Sequence, residues 1–291
     1  MDKVTLKIRN EFDNLTIKEV LKCFNIGKGR IEEIRVNKSF SLNNETNTLE
    51  SVCHKGDTLS FYLNEKIDFK PYFIHLDVVY EDDYMLIVNK PSGMLIHPDN
   101  DTNNETLVNA VAGYYYEHKI FRAVRPVHRI DFETSGIVIF AKDFLTQGKL
   151  EEQIQKNELK RSYLALCHNK FKTLKDKIDM PIGRDRHENN KFRCARSTQS
   201  KSAVTNYEVI KEYKGYSLVN LLLETGRTHQ IRVHMSYLNH PLLGDTLYGG
   251  KKEKINRVAL HSYQVKFLHP ITNEYLDLVC ELPLDMKELV K

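Results

Sequence analysis

His128-Arg129-Ile130-Asp131-Phe132-Glu133-Thr134-Ser135-Gly136 leads without a break into the apolar run IVIF at 137–140. A Thr-Ser-Gly turn followed by β-branched and aromatic residues reads as a tight loop entering a buried strand, expected over 135–141. Similar apolar runs predict strands over 77–81, 84–89, 163–168, 203–210, 216–224 and 258–267, with helices over 106–116, 144–155 and 228–238. Strands outnumber helices and their connections differ in length. The fold class expected is therefore α+β, with a mixed, mainly antiparallel sheet and flanking helices rather than a regular βαβ repeat.

Upstream, residues 1–66 read as a separate small α+β unit. Val4, Leu6 and Ile8 alternate as a strand, and Ile17, Val20, Leu21 and Phe24 share one helical face. Thr16 and Glu19 have capping-box spacing, Leu15 and Val20 can form a hydrophobic staple, and Gly27 stands as the stop. A helix over 29–34 and strands over 35–42 and 58–63 complete the unit. A polar joint at 64–71 separates it from a larger domain over 72–291.

The chain has 291 residues with 41% hydrophobic side chains, enough for a substantial core. No apolar run approaches the roughly 18 residues of a membrane span, and the first ten residues lack the apolar stretch of a signal peptide. Five scattered cysteines without a CxxC pair predict reduced thiols in a cytoplasm. Charge is uneven: residues 71–120 hold 2 basic against 8 acidic residues, while 121–201 hold 18 against 10. The basic stretch from Lys156 to Lys201 is either a polyanion footprint or a solvated lysine-rich surface.

Four segments concentrate functional side chains: Asn89-Lys90-Pro91-Ser92-Gly93-Met94 with His97-Pro98; the 128–136 loop; Lys160-Arg161-Ser162-Tyr163-Leu164-Ala165-Leu166; and Glu224-Thr225-Gly226-Arg227-Thr228-His229-Gln230-Ile231-Arg232-Val233-His234. None carries a P-loop, a dinucleotide fingerprint, HExxH or GxSxG. Asp131, at a strand entrance, is either a turn former or a reactive carboxylate. A guanidinium from Arg227 beside it would hold it ionised in a desolvated pocket, as a carboxylate nucleophile requires. His229, His234 and His240 lie at offsets that do not share a helical face, so structural roles are expected of them and no metal site. The Tyr114-Tyr115-Tyr116 run is read as core packing with an exposed helix end, base stacking being the alternative.

These four motifs in this order, followed by Gly244-Asp245-Thr246-Leu247-Tyr248-Gly249 and Leu260-His261, resemble the RluA family of RNA pseudouridine synthases over about 77–283. The N-terminal unit loosely resembles the S4 RNA-binding module found in RluD-like members. It departs from the S4 pattern at Lys38, where glycine is usual, and lacks the expected arginine in the first helix. The resemblance implies isomerisation of uridine to pseudouridine in structured RNA, with large-subunit ribosomal RNA favoured by the RluD-like architecture and transfer RNA also open. It implies Asp131 as the catalytic aspartate, Tyr163 as the tyrosine that stacks on the base and can take the C5 proton, and Arg227 as the arginine pairing with Asp131. Arg129 would fill the gap left by an everted nucleotide, Ile231 would pack on the tyrosine, and His128, Asn89 and Lys90 would support substrate binding. Position 130 is Ile where Leu is usual. No cofactor or metal is implied, and a monomer is expected. The alternative is a non-catalytic RNA-binding or ribosome-assembly protein retaining the fold, which an intact Asp131, Tyr163 and Arg227 argue against.

Overall fold

A computed structural model of the chain describes residues 2–99, 104–186, 188 and 190–291. The N-terminal unit comprises β1 (Lys3–Lys7), α1 (Ile17–Cys23), α2 (Lys28–Asn37), β2 (Phe40–Leu42) and β3 (Thr58–Tyr62), with an antiparallel sheet ordered β1-β3-β2. Thr16 and Glu19 close a capping box in which the Glu19 amide donates to Thr16 Oγ1 at 3.2 Å and the Thr16 amide donates to the Glu19 carboxylate at 2.8 Å. Two expectations fail here. Gly27 is not the stop of α1: Asn25 makes the left-handed reversal at φ 58°, and Gly27 is the N-cap of α2. The helix α2 runs to Asn37, so the strand expected over 35–42 shrinks to three residues. Lys38 ends it in the left-handed conformation at φ 47°, where glycine would sit without strain.

The larger unit comprises β4 (Val78–Glu81), β5 (Met85–Lys90), α3 (Leu107–Glu117), β6 (Arg125–Pro126), β7 (Ser135–Ala141), α4 (Phe144–Gln155), β8 (Lys160–His168), β9 (Lys175–Asp179), β10 (Ile182–Arg184), β11 (Phe192–Cys194), β12 (Val204–Glu212), β13 (Tyr216–Leu223), α5 (Gln230–Tyr237), β14 (Leu260–Leu268), β15 (Tyr275–Val279) and α6 (Leu284–Leu289). Its main sheet runs β4-β5-β7-β14-β8-β13-β12-β9, with β6 on β7 and β15 on β14. Every described ladder is antiparallel except β7 with β14, so the α+β, mixed and mainly antiparallel expectation holds. At that parallel junction Gly136, at φ 108°, lies so close to Ser262 that a Cβ would meet its carbonyl oxygen at 2.3 Å. Only glycine lets the 128–136 loop turn into β7 there.

The joint at 64–71 is docked rather than free. Ile67 and Phe69 pack on the main core, the Asp68 carboxylate accepts from the Val124 amide at 2.8 Å, and Glu65 pairs with Arg30 and Arg125. Phe144, Leu145 and Ile271 of the larger unit share one apolar cluster with the N-terminal core, and the rings of Phe61 and Phe144 meet edge-on at 5.6 Å. The strands β9, β10, β11 and β15, and α6, lie outside the expected elements; they are three to six residues long and mostly exposed, so apolar periodicity does not register them.

Candidate active site

A cavity of about 250 Å³ opens where the 128–136 loop, β8 and the start of α5 converge. Its walls are laid down by strand alternation. On β8, Arg161 and Tyr163 face inward while Lys160 and Ser162 are half-exposed. Ile130, Leu223, Leu260 and Ile231 join Tyr163 in one apolar cluster and form the floor. Of the eight side chains singled out from the sequence, His128, Arg129, Asp131, Tyr163, Arg227 and Ile231 line this cavity.

Asp131 sits at its edge with 24% of its side chain exposed, in a turn closed by the Thr134 amide donating to the Asp131 carbonyl. The expected Asp131–Arg227 pair does not form. Arg227 is exposed on the rim, and its Nε donates to the Ser202 carbonyl at 2.9 Å. The cation beside Asp131 is Arg232, whose Nη1 lies 3.7 Å from Oδ2. Arg227 precedes α5 in the turn, whereas Arg232 lies on its first turn and projects into the interior. Arg232 is held from behind by a bidentate pair with buried Asp245, at 2.7 and 2.8 Å, and its guanidinium carbon lies 5.0 Å from the Tyr248 ring centroid. Buried on α5, the Arg232 guanidinium needs a buried partner, and Asp245 supplies it.

The turn before α5 is locked by Gln230. Its carbonyl accepts from the Thr225 hydroxyl and the Arg227 amide, and its amide donates to the Val204 carbonyl and Thr205 Oγ1. His229 caps α5 in a left-handed conformation, φ 56°, which is strained for a residue with a side chain; its Nδ1 pairs with the Tyr248 hydroxyl at 2.9 Å. The same hydroxyl receives the Phe192 amide at 3.0 Å, tying the β10–β11 hairpin to the site. Asp245, Gln230 and Tyr248 were not singled out from the sequence. His234 binds Thr205 and Met180, and His240 binds His168 and stacks on Phe171, so the three histidines go to separate partners.

Two expected substrate contacts are not on the cavity wall. Lys90 is fully buried, and its ammonium donates to the carbonyls of Pro91, Met94 and Phe132 at 2.8, 2.8 and 3.1 Å. Burial pulls its pKa down to about 7, yet three carbonyl acceptors need all three ammonium protons. Lys90 is thus a strut between the 90–94 segment and the Asp131 loop. Asn89 lies on β5 and donates to Asp77 at 2.8 Å. His128 accepts the Ile139 amide on Nε2 at 3.3 Å; burial, with Arg161 nearby, lowers its pKa to about 3 and keeps it neutral. Burial raises the Tyr163 phenol, only partly opposed by Arg161 and a hydrogen bond from Ser262.

In the basic stretch, Lys156, Lys170, Lys175, Lys177, Lys191 and Arg193 have acidic partners. In the tyrosine run, Tyr115 is buried, Tyr114 donates to Glu81, and Tyr116 is exposed beside Phe73. No helix among the described residues is long and apolar enough to cross a membrane.

Residues 84–237 match the family described as RNA pseudouridylate synthase, and residues 4–59 match the N-terminal domain of RluD ribosomal pseudouridine synthase. The chain is 42% identical over 264 residues to a Bacillus subtilis protein named uncharacterized RNA pseudouridine synthase YhcT, covering 89% of this chain and 85% of that protein. It is 36% identical over 276 residues to ribosomal large subunit pseudouridine synthase D of Vibrio parahaemolyticus, with coverage of 89% and 84%. The solved structure of human RNA pseudouridylate synthase domain containing 1 superposes with a TM-score of 0.60 at 27% identity, covering 74% of this chain and 87% of that one. A single cavity that gathers the aspartate, tyrosine and arginine motifs, on a fold shared with these proteins, places the chain in the family of RNA pseudouridine synthases, which are isomerases.

Proposed function

We propose that this enzyme converts uridine to pseudouridine in folded large-subunit ribosomal RNA, with Asp131 as the catalytic residue. The observation that carries the reading is the Asp131 carboxylate at 3.7 Å from Arg232, in a cavity whose floor is Tyr163 and Ile231. A uridine within a stacked helix or loop hides its glycosidic bond, so the nucleotide must be everted at a cost of a few kcal/mol. Arg129, exposed at the mouth, suits the gap that the base leaves. The base enters over Tyr163. The N1–C1′ bond then breaks, the uracil turns, C5 joins C1′, the C5 proton leaves and N1 acquires one. Asp131 either adds to the pyrimidine or traps C1′ as the bond breaks, and Arg232, 3.7 Å away, holds the carboxylate aimed.

The raised pKa of Tyr163 favours the neutral phenol, so its part is that of a platform for the base. Arg227, Arg184 and Lys201 line an adjoining cleft and suit phosphate contacts that fix the register of the strand. The match of residues 4–59 to the RluD N-terminal domain, and the relatives named for the large ribosomal subunit, support the choice of ribosomal RNA. Incubation with C5-tritiated large-subunit rRNA in excess EDTA tests the reading. Tritium release by the wild type and none by Asp131→Asn is expected. RNA binding without release would favour a non-catalytic protein, and chain cleavage a nuclease.

A further inference from the structure

Arg161 is the outlying residue of the cavity. It is 6% exposed, yet neither an ion pair nor a side-chain hydrogen bond engages its guanidinium among the described residues. A buried guanidinium without a partner is costly, and folded chains leave one mainly where a ligand completes it. Its Nε is sealed from solvent, whereas Nη1 and Nη2 turn toward the cavity against Gly226, 3.3 and 3.6 Å from where a Cβ would stand. A side chain at 226 would crowd those two nitrogens.

Position along the strand says what they meet. Arg161 and Tyr163 are same-face neighbours on β8, about 7 Å apart, so a pyrimidine lying on the tyrosine presents its edge to the guanidinium. Asp131 is on the opposite side: it also borders the cleft of His97, Pro98 and Phe132, whereas Gly226, against Arg161, borders the cleft of Ile182, Arg184 and Lys201. A uridine bridging the two has its sugar-bearing N1 toward Asp131. The far edge of the ring, at C4, then faces Arg161.

We propose that Arg161 reads the base: its free guanidinium nitrogens donate to the C4 carbonyl of a uracil seated on Tyr163, and exclude cytosine, whose C4 amino group is itself a donor. This rests on the reading of the cavity as a uridine pocket. Arg161 donors left facing an amino group would be desolvated and unmatched, the arrangement that gives polar pockets their discrimination.

Arg161→Met, of similar reach and without charge, tests the proposal. In single-turnover tritium release from C5-tritiated large-subunit rRNA, the variant is expected to lose about 10²-fold in rate, with half-saturating enzyme concentration within about threefold of wild type and an unchanged salt slope. Because no group among the described residues loses a partner, its melting temperature should equal or exceed that of the wild type. Arg161→Lys should recover part of the rate. Separately, NMR titration with uridine 5′-monophosphate and cytidine 5′-monophosphate should show a preference for the uridine nucleotide in wild type and none in Arg161→Met. A wild-type rate in the variant, a weaker binding with a shallower salt slope at unchanged rate, or a lowered melting temperature would each overturn the assignment, the last two in favour of a phosphate contact or a structural role. If the wild type prefers the uridine nucleotide through Arg161 yet releases no tritium, base recognition stands and the proposed reaction falls.

Discussion

Exchanging the two arginines of the 224–234 segment as targets gives opposite results, and the contrast can be worked from distances. Arg232 serves two carboxylates. Toward Asp245, which is 1% exposed, it makes two short hydrogen bonds, so Arg232→Met strands a buried charge at a cost of about 3–5 kcal/mol. Toward Asp131, at 3.7 Å, a Coulomb energy of about 4 kcal/mol at an effective dielectric constant near 20 falls to about 2 kcal/mol for a partly exposed acid. That is worth about 30-fold in rate if the pair acts in the transition state. The single variant therefore confounds folding with chemistry, and Arg232→Met with Asp245→Asn separates them. Neutralising Asp245 should restore about 2 kcal/mol of stability, read from urea unfolding, while single-turnover tritium release stays at least about 30-fold below wild type. Arg227→Ala loses one exposed hydrogen bond to Ser202, so about 0.5 kcal/mol of stability and almost none of the saturated rate should go. Its effect belongs in RNA affinity, with a salt slope shallower by about one. An Arg227→Ala enzyme without turnover, beside a double variant that turns over at the wild-type rate, would refute the assignment of Arg232.

Three further outcomes follow from the framework around the site. Lys38→Gly removes a left-handed lysine at the end of α2 and should stabilise the protein by about 0.5–1 kcal/mol, seen as a higher melting temperature. Lys90→Met leaves three carbonyls without a donor, so a loss of about 2–4 kcal/mol in urea unfolding is expected, together with slower turnover as the Asp131 loop loosens. His261 is buried with its pKa lowered to about 4, so the unfolded chain takes up a proton below pH 6.5 that the folded one refuses; stability falls as pH drops below 6.5, by about 2 kcal/mol at pH 5, and the fall should be smaller in His261→Asn.

The long elements were legible because their residues repeat a pattern the fold uses: the apolar run at 137–141 sits in a strand buried from 135 to 141, and 144–155 is the helix expected, residue for residue. The Thr16–Glu19 box was legible because a cap is written in four consecutive residues. Pairings across the fold were not. Spacing cannot tell whether Arg227 or Arg232 reaches Asp131, since this depends on where α5 begins, and Gln230 sets that point through bonds to Thr205 and Val204 on another strand. The family resemblance makes Lys90 a substrate contact; its ammonium is instead enclosed by carbonyls from two loops. A strand expected over 163–168 leaves Arg161 outside, whereas β8 starts at Lys160 and turns it inward.

The place of the site follows from the one described parallel ladder. β7 and β14 run in the same direction, so the segments that lead into them emerge side by side at one end of the sheet. One of these segments carries Asp131 and the other, ahead of β14, carries Asp245. The start of α5 puts Arg232 between the two acids, and they share it unequally: Asp245 takes Nε and Nη2 at hydrogen-bond length, and Asp131 is left with Nη1 at 3.7 Å. The inequality suits the proposed chemistry. A carboxylate held by a bidentate guanidinium has its lone pairs engaged and is a poor nucleophile, whereas one steadied at longer range stays charged with an oxygen free for carbon. Asp245 thus fixes the arginine so that Asp131 need not, and Asp245→Asn alone should draw Arg232 toward Asp131 and slow turnover. Turnover at or above the wild-type rate in that variant would show that the unequal sharing has no part in catalysis.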